Sequence, residues 1–327
     1  MDDIMTYPIH ILYADRHMLL LNKPAGIVMH PTYKHVDGDT LWDALLSYLA
    51  RQEVEVWTPP ELADEPEWSQ APEHVRVLLR QVRYKRLMRE EGPLPRPCLL
   101  HRLDKDTSGI VALARTERAR RFLSRQFHEH TIVKRYLAVV AAGSPGWARP
   151  RTSFTLTQTS SNGRTLSWAL PDAAFDLSRV EPMEELLLCG ALQRDPEDRR
   201  RCIVGSDGQE AATVVRVLAH VGGYTLLEAR PVTGRTHQIR AHLAALGYPI
   251  VGDQTYSLPD SKEAIFLERQ FLHAYSLTLR RYPDNTLCTF TAPLADDLVA
   301  WLERAMPEAT GVFHAYTTQF TESIVSC

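Results

Sequence analysis

Cysteine is sparse in this chain of 327 residues: Cys98, Cys189, Cys202, Cys288 and Cys327 are scattered, with no Cys-x-x-Cys pair. An odd, dispersed set supports neither a disulfide framework nor a zinc site, and it fits reduced thiols in a cytoplasmic protein. Long apolar runs are missing too. The longest, such as Tyr136 to Gly143, fall far short of the roughly 18 residues that a membrane helix needs. The chain opens Met1-Asp2-Asp3 without a basic segment leading into an apolar one, so a secretory leader is not expected. Net positive charge is also absent, with 37 Lys and Arg against 40 Asp and Glu. That balance argues at first against nucleic acid, whose phosphates are bound by lysine and arginine.

Several catalytic signatures are absent as well. No Gly-x-Gly-x-x-Gly occurs, which removes the dinucleotide fingerprint, and no Gly-x-Ser-x-Gly marks a serine hydrolase. Gly247 and Gly252 have the spacing of a phosphate loop, but Asp253 stands where its lysine would be. His237 and His242 lie five apart and lack the adjacent glutamate of a helical zinc site. No metal ligand set is expected.

What is present is a folded composition, 44% apolar and 24% charged. The length allows about two domains or one large α+β domain. Charge is partitioned along the chain. From His101 to Val140 nine basic residues face four acidic ones, while seven carboxylates fall between Arg51 and Gln81 and eight between Pro171 and Arg200. The local field, rather than the sum, selects a partner.

Short strands are expected at Ile9–Tyr13 and Met18–Leu21, then a helix behind Thr40, whose Leu41, Leu45, Leu46 and Leu49 recur at helical spacing. A Pro-rich acidic loop at Trp57–Pro72 precedes a basic helix over Val75–Glu90. A buried strand, Ile110–Ala114, leads to a helix capped by Thr116, and Val133–Val140 forms another strand. Residues 143–208 are acidic and poorly periodic, and read as an insertion. Strands resume at Ala211–Leu218 and Tyr224–Ala229. Thr236 is placed to cap a helix over Ile239–Leu246 that closes at Gly247. Strands at Leu272–Leu279 and Leu287–Thr291 and a helix at Ala295–Ala305 complete the pattern. Strands in groups, without a βαβ period, favour an α+β class.

Three polar clusters interrupt these apolar elements. His101 to Gly109 sets Arg102 and Asp104 on one side of an extended segment, a cation beside a carboxylate. Thr233 to Arg240 carries a glycine turn into a helix start, where free amides and Arg235 would suit an anion. Lys134 and Tyr136 share a face of the third strand. Taken singly, each also fits a charged turn, a capped helix or a core tyrosine.

Together they form a recognisable series. HRLDKDTSGIVALART, VKRYLAVV, TGRTHQIRAHLAALGYPIVGDQTYS and FLHAYSLTL, preceded by LLLNKPAGIVMHP and followed by TAPLADDL, resemble in order the motifs of RNA pseudouridine synthases of the RluA type. The resemblance runs with interruptions from about Ile9 to about Leu298. It implies an α+β catalytic domain around a mixed, mostly antiparallel sheet with a central cleft. The implied reaction detaches uracil from C1′ of a uridine in RNA, turns the base and rejoins it through C5, with no metal or organic cofactor.

By the same resemblance Asp104 is the catalytic aspartate, Tyr136 the tyrosine against the target base, Arg235 the basic residue paired with the aspartate, and Arg102 the arginine that displaces the base. Lys134, Ile239, Lys23 and His30 are further candidates for binding substrate in the cleft. The implied partner is RNA, ribosomal or transfer, with no membrane and no DNA, and the chain is expected to act as a monomer in the cytoplasm. One catalytic domain is expected over residues 1–310, with insertions at about 51–97 and about 143–208, a tail at 311–327, and no S4-type RNA-binding module. Intact Asp104, Tyr136 and Arg235 weigh against the alternative of a catalytically silent RNA-binding protein or chaperone.

Overall fold

The structure, a computed structural model, describes residues 9–31, 40–51, 57–58, 60–143, 148–159, 163–170, 175–256 and 267–321. In chain order the elements are β1 (His10–Ala14), β2 (Met18–Lys23), α1 (Leu41–Ala50), α2 (Glu73–Glu91), β3 (Pro93–Leu99), β4 (Ser108–Thr116), α3 (Glu117–His128) and β5 (Val133–Ala141). There follow β6 (Phe154–Thr159), β7 (Thr165–Leu170), β8 (Glu185–Cys189), β9 (Leu192–Arg194), β10 (Cys202–Val204), β11 (Ala212–Val221) and β12 (Tyr224–Pro231). The last elements are α4 (Gln238–Leu246), β13 (Leu272–Arg280), β14 (Leu287–Thr291), α5 (Asp296–Ala305) and α6 (Pro307–Thr321).

Among the described residues one sheet of 12 strands organises these elements, in the order β1-β2-β4-β13-β5-β12-β11-β8-β6-β7, with β14 beside β13 and β3 beside β4. Its pairings are antiparallel except for β13 with β4. The α+β class and mixed, mostly antiparallel sheet expected from the sequence are therefore found. Side chains alternate across the sheet, as the period of a strand requires. Leu19, Leu21, Val111 and Leu113 join the core on one face, which includes residues of α1, α4, α5 and α6. Met18, Leu20, Ile110, Ala112 and Ala114 join Ala119 and Leu123 of α3 on the other.

Local signals explain the helix starts. Thr40 accepts a hydrogen bond from the Asp43 amide at 3.2 Å, and Thr116 accepts one from the Ala119 amide at 3.4 Å, as capping residues do. Thr236 does not cap α4. His237 precedes the helix instead, with φ 55°, a left-handed backbone uncommon for a residue with a side chain.

Two stretches that lack periodicity in the sequence contain regular structure. Within 143–208, β6, β7 and β8 extend the main sheet, while β9 and β10 form a separate pair. The periodicity was hidden because β7 is exposed along most of its length, which removes the apolar alternation of a half-buried strand. The tail expected from residue 311 is part of α6, where Ala309, Phe313 and Tyr316 recur at helical spacing and are buried. Residues 322–327 lie outside the described residues.

The centre of the sheet is set by small residues. Gly109 of β4, Ala274 of β13, Tyr136 of β5 and Ala229 of β12 stand in register across four neighbouring strands. Only Tyr136 among the four carries more than a methyl group, so the strands beside it crowd its ring little. Gly109 has φ 115°, and a Cβ there would lie 2.2 Å from the Ala274 carbonyl oxygen. The parallel contact of β4 with β13 thus needs glycine at this point. Gly109→Ala should destabilise the protein by more than the roughly 1–3 kcal/mol of backbone strain alone, read as a lower urea midpoint; an unchanged midpoint would contradict this account.

Candidate active site

The loop entering β4, strand β5 and the turn from β12 into α4 meet around a cleft of about 510 Å³. Six of the eight residues singled out from the sequence line it: Arg102, Asp104, Lys134, Tyr136, Arg235 and Ile239. Phe127, His128 and His130, from the end of α3 and the residues after it, close one side. The backbone pairing of β5 between β12 and β13 fixes Tyr136 at the base.

Asp104 is held by Arg240. The Arg240 guanidinium donates from Nη1 to Asp104 Oδ2 at 2.9 Å. Its Nε and Nη2 donate to both carboxylate oxygens of Asp253, at 2.7 and 2.8 Å. Asp253 Oδ1 also accepts from the amides of Thr255 and Tyr256. Arg240 is 7% exposed and Asp253 fully buried, whereas Asp104 keeps 23% of its side chain open to the cleft. Burial opposes charge on Arg240, but the two carboxylates more than offset it and raise its pKa above the ordinary arginine value.

The expected pairing of Arg235 with Asp104 is therefore corrected. Arg235 lies before the turn at His237, at the exposed mouth, and its Nε donates to the Glu210 carbonyl at 3.1 Å. Arg240 falls in the first turn of α4 and faces inward. The anion site expected at the free amides of this turn is also partly filled. Gln238 Oε1 accepts from the Arg235 amide at 3.0 Å and from the Thr233 hydroxyl at 2.7 Å.

Lys23 does not line the cleft either. Its ammonium is buried beneath the Asp104 loop and donates to the carbonyls of Pro24, Lys105 and Thr107 at 2.9, 2.8 and 2.9 Å. Its charge is spent on positioning. Burial pushes its pKa down to about 7, against the opposing pull of Asp106 and Asp104. His30 is exposed and outside the lining. Partial enclosure and then the charge of Arg102 lower its pKa.

The remaining lining groups have definite states. Burial, then the negative charge of Asp104, raises the Tyr136 pKa, so the phenol stays protonated. Burial lowers the Lys134 pKa, and its Nζ reaches the Thr233 carbonyl at 3.5 Å. His101 is stacked on Phe127 at 5.0 Å and accepts the Ala112 N–H through Nε2 at 3.1 Å; burial lowers its pKa to about 3, so it is neutral.

Arg240, Asp253 and His237 had no assigned role in the sequence reading. The signal in the sequence is the carboxylate Asp253 directly after Gly252, where a phosphate loop would carry lysine. Basic charge near the site is also narrower than the sequence suggests. On α3, Arg118 pairs with Glu90 and Glu91, Arg120 and Arg121 with Glu117, and Arg125 with Glu129. The cleft's own cations are Arg102, Lys134 and Arg235, with Arg240 neutralised beneath them.

The family model described as RNA pseudouridylate synthase matches residues 17–245. The chain belongs to the RNA pseudouridine synthase family. This pseudouridine synthase is of the RluA type, and its activity is the isomerisation of uridine in RNA. Ribosomal large subunit pseudouridine synthase D of Nitrosomonas europaea is 30% identical to it over 310 residues, covering 93% of this chain and 67% of the relative. An uncharacterized RNA pseudouridine synthase of Chloroflexus aurantiacus is 34% identical over 289 residues, covering 88% and 67%. Human RNA Pseudouridylate Synthase Domain Containing 4 shares the fold with a TM-score of 0.51 and 20% identity, over 90% of this synthase and 92% of that chain. No helix among the described residues is long and apolar enough to cross a membrane.

The buried lysine gives a signed prediction. An unfolded lysine keeps its proton to about pH 10.4, whereas folded Lys23 begins to release its own near 7. Between these values the unfolded chain binds more protons, so the contribution of Lys23 to stability rises with pH across that window. Urea titrations of wild type and Lys23→Met at about pH 6 and about pH 9 should show the stability gap widening at the higher pH. A gap that stays level or narrows would contradict the assignment.

Proposed function

We propose that this synthase acts on uridines of ribosomal large-subunit RNA as a monomer, with Asp104 as the carboxylate at the glycosidic bond. The ribosomal target is supported by the names of relatives such as those of Nitrosomonas europaea and Xylella fastidiosa, both ribosomal large subunit pseudouridine synthase D. The observation that carries the assignment of Asp104 is its position. It is the cleft-lining carboxylate, anchored through one oxygen by Arg240 and facing the Tyr136 base.

A uridine stacked in RNA hides its glycosidic bond, so the nucleotide has to be extruded before reaction. Arg102 at the rim can occupy the space it leaves, while Tyr136 and Ile239 offer aromatic and aliphatic surface to the uracil. Lys134 and Arg235 are placed for the flanking phosphates, which orient the RNA without reading its sequence. Cleavage of N1–C1′ develops positive character on the sugar, and Asp104 stabilises or traps it, as carboxylates do in glycoside hydrolysis. Arg240 engages Oδ2 and so leaves Oδ1 for the reacting nucleotide. The base then turns, C5 bonds to C1′, the C5 proton leaves and N1 gains one, which balances the isomerisation.

Purified protein should release tritium from C5-labelled uridine in large-subunit ribosomal RNA and not from labelled transfer RNA. Asp104→Asn should lower that release by about 10³-fold or more while RNA binding by filter retention changes little. Release preserved in Asp104→Asn would overturn the role of the carboxylate, and release from transfer RNA alone would overturn the target.

A further inference from the structure

Beside the carboxylate sits a second titratable group that the chemistry above leaves unused. His237 lines the cleft with its side chain 16% exposed, and its Nε2 lies 3.9 Å from Asp104 Oδ2. That separation is too long for a hydrogen bond, so neither atom consumes the other. The backbone pays for this placement. His237 holds φ 55°, and no side-chain hydrogen bond from it caps the helix that follows. A strained residue at the mouth of a helix, with its ring turned into the cleft, invites a functional explanation.

The neighbours of the ring fix its tautomer. Tyr256 Oη accepts from the Cys202 amide at 2.8 Å and donates its proton to the Cys202 carbonyl at 3.0 Å. Its oxygen lies 3.3 Å from His237 Nδ1, and all three contacts are satisfied together when Nδ1 carries the hydrogen and donates it. The hydrogen therefore resides on Nδ1, and the lone pair of Nε2 faces the cleft beside Asp104. Burial lowers the His237 pKa, and the charges of Arg240 and Arg194 add to that effect, while Asp104 and Asp253 oppose it. The ring is neutral at pH 7 and has a carboxylate at hand to stabilise the cation it would form.

We propose that His237 is the base that takes the proton from C5. This rests on the reading of Asp104 as the carboxylate that acts at the glycosidic bond. Once C5 has bonded to C1′, that carbon carries one hydrogen too many for an aromatic base. The C5–H bond breaks, its electron pair restores the ring, and the proton passes to Nε2. N1, freed when N1–C1′ broke, takes a proton from solvent, and His237 returns its own to solvent. Asp104 then neighbours an imidazolium, an ion pair formed only during turnover.

His237→Asn tests this, because asparagine tolerates the left-handed backbone and can still donate to Tyr256, but has no basic nitrogen. Single-turnover isomerisation of RNA carrying protium or deuterium at C5 is followed against pH. Wild type should lose rate as pH falls through the His237 pKa, below the ordinary value near 6.5. His237→Asn should be slower by about 10²-fold or more, lose that acid limb, and discriminate against deuterium more strongly than wild type. An unchanged rate, or a slower rate with neither an altered acid limb nor a larger isotope effect, overturns the proposal. Asp104→Asn, run alongside, separates the two readings. If it stays active, the role of the carboxylate fails; if it is inactive while His237→Asn behaves as wild type, only the base assignment fails.

Discussion

A guanidinium buried between two carboxylates is the constraint on which the site depends. Arg240 is almost wholly enclosed, and an unpaired ion there would cost several kcal/mol. Asp253 removes most of that cost through two hydrogen bonds, and Asp104 supplies the third. The catalytic loop, the first turn of α4 and the turn after Gly252 are thereby tied to one side chain. Gly252 itself has φ 74° and admits no Cβ, since one would lie 2.1 Å from the Arg269 carbonyl. Geometry at the cleft is thus set largely by an ion-pair network whose anchor, Asp253, is fully buried.

The same logic places Lys23 under the loop. Its three carbonyl partners include Lys105 and Thr107, which follow Asp104 by one and three residues. Arg240 fixes the aspartate through its side chain, and Lys23 fixes the backbone that carries it. Above this support Tyr136 stands between Ala274 of β13 and Ala229 of β12, each of which carries only a methyl group. A rigid floor with an aromatic ring at the lining of the cleft suits an extruded base.

Much of this was legible in the sequence. The strands of the central sheet, the caps at Thr40 and Thr116 and the close of α4 at Gly247 follow from periodicity and local hydrogen bonding. Six candidate residues from three separate stretches do line one cleft. What escaped the sequence is tertiary. Arg235 and Arg240 sit five residues apart in one motif, and only the left-handed turn at His237 sends one outward and the other in. Lys23 looks like a surface cation until the loop folds over it. The net charge of −3 suggested indifference to nucleic acid, and the stretch around Asp104 suggested a broad basic face. Intrahelical and neighbouring glutamates neutralise the arginines of α3, so the field is confined to the cleft.

Arg240, and not Arg235, holds the carboxylate. Single-turnover isomerisation and RNA affinity, measured side by side for Arg240→Gln and Arg235→Gln, address it most directly. Arg240→Gln should slow the chemical step by about 10²-fold or more at nearly unchanged affinity, whereas Arg235→Gln should weaken RNA binding with the chemical step largely intact. A chemical step lost in Arg235→Gln and preserved in Arg240→Gln would contradict it.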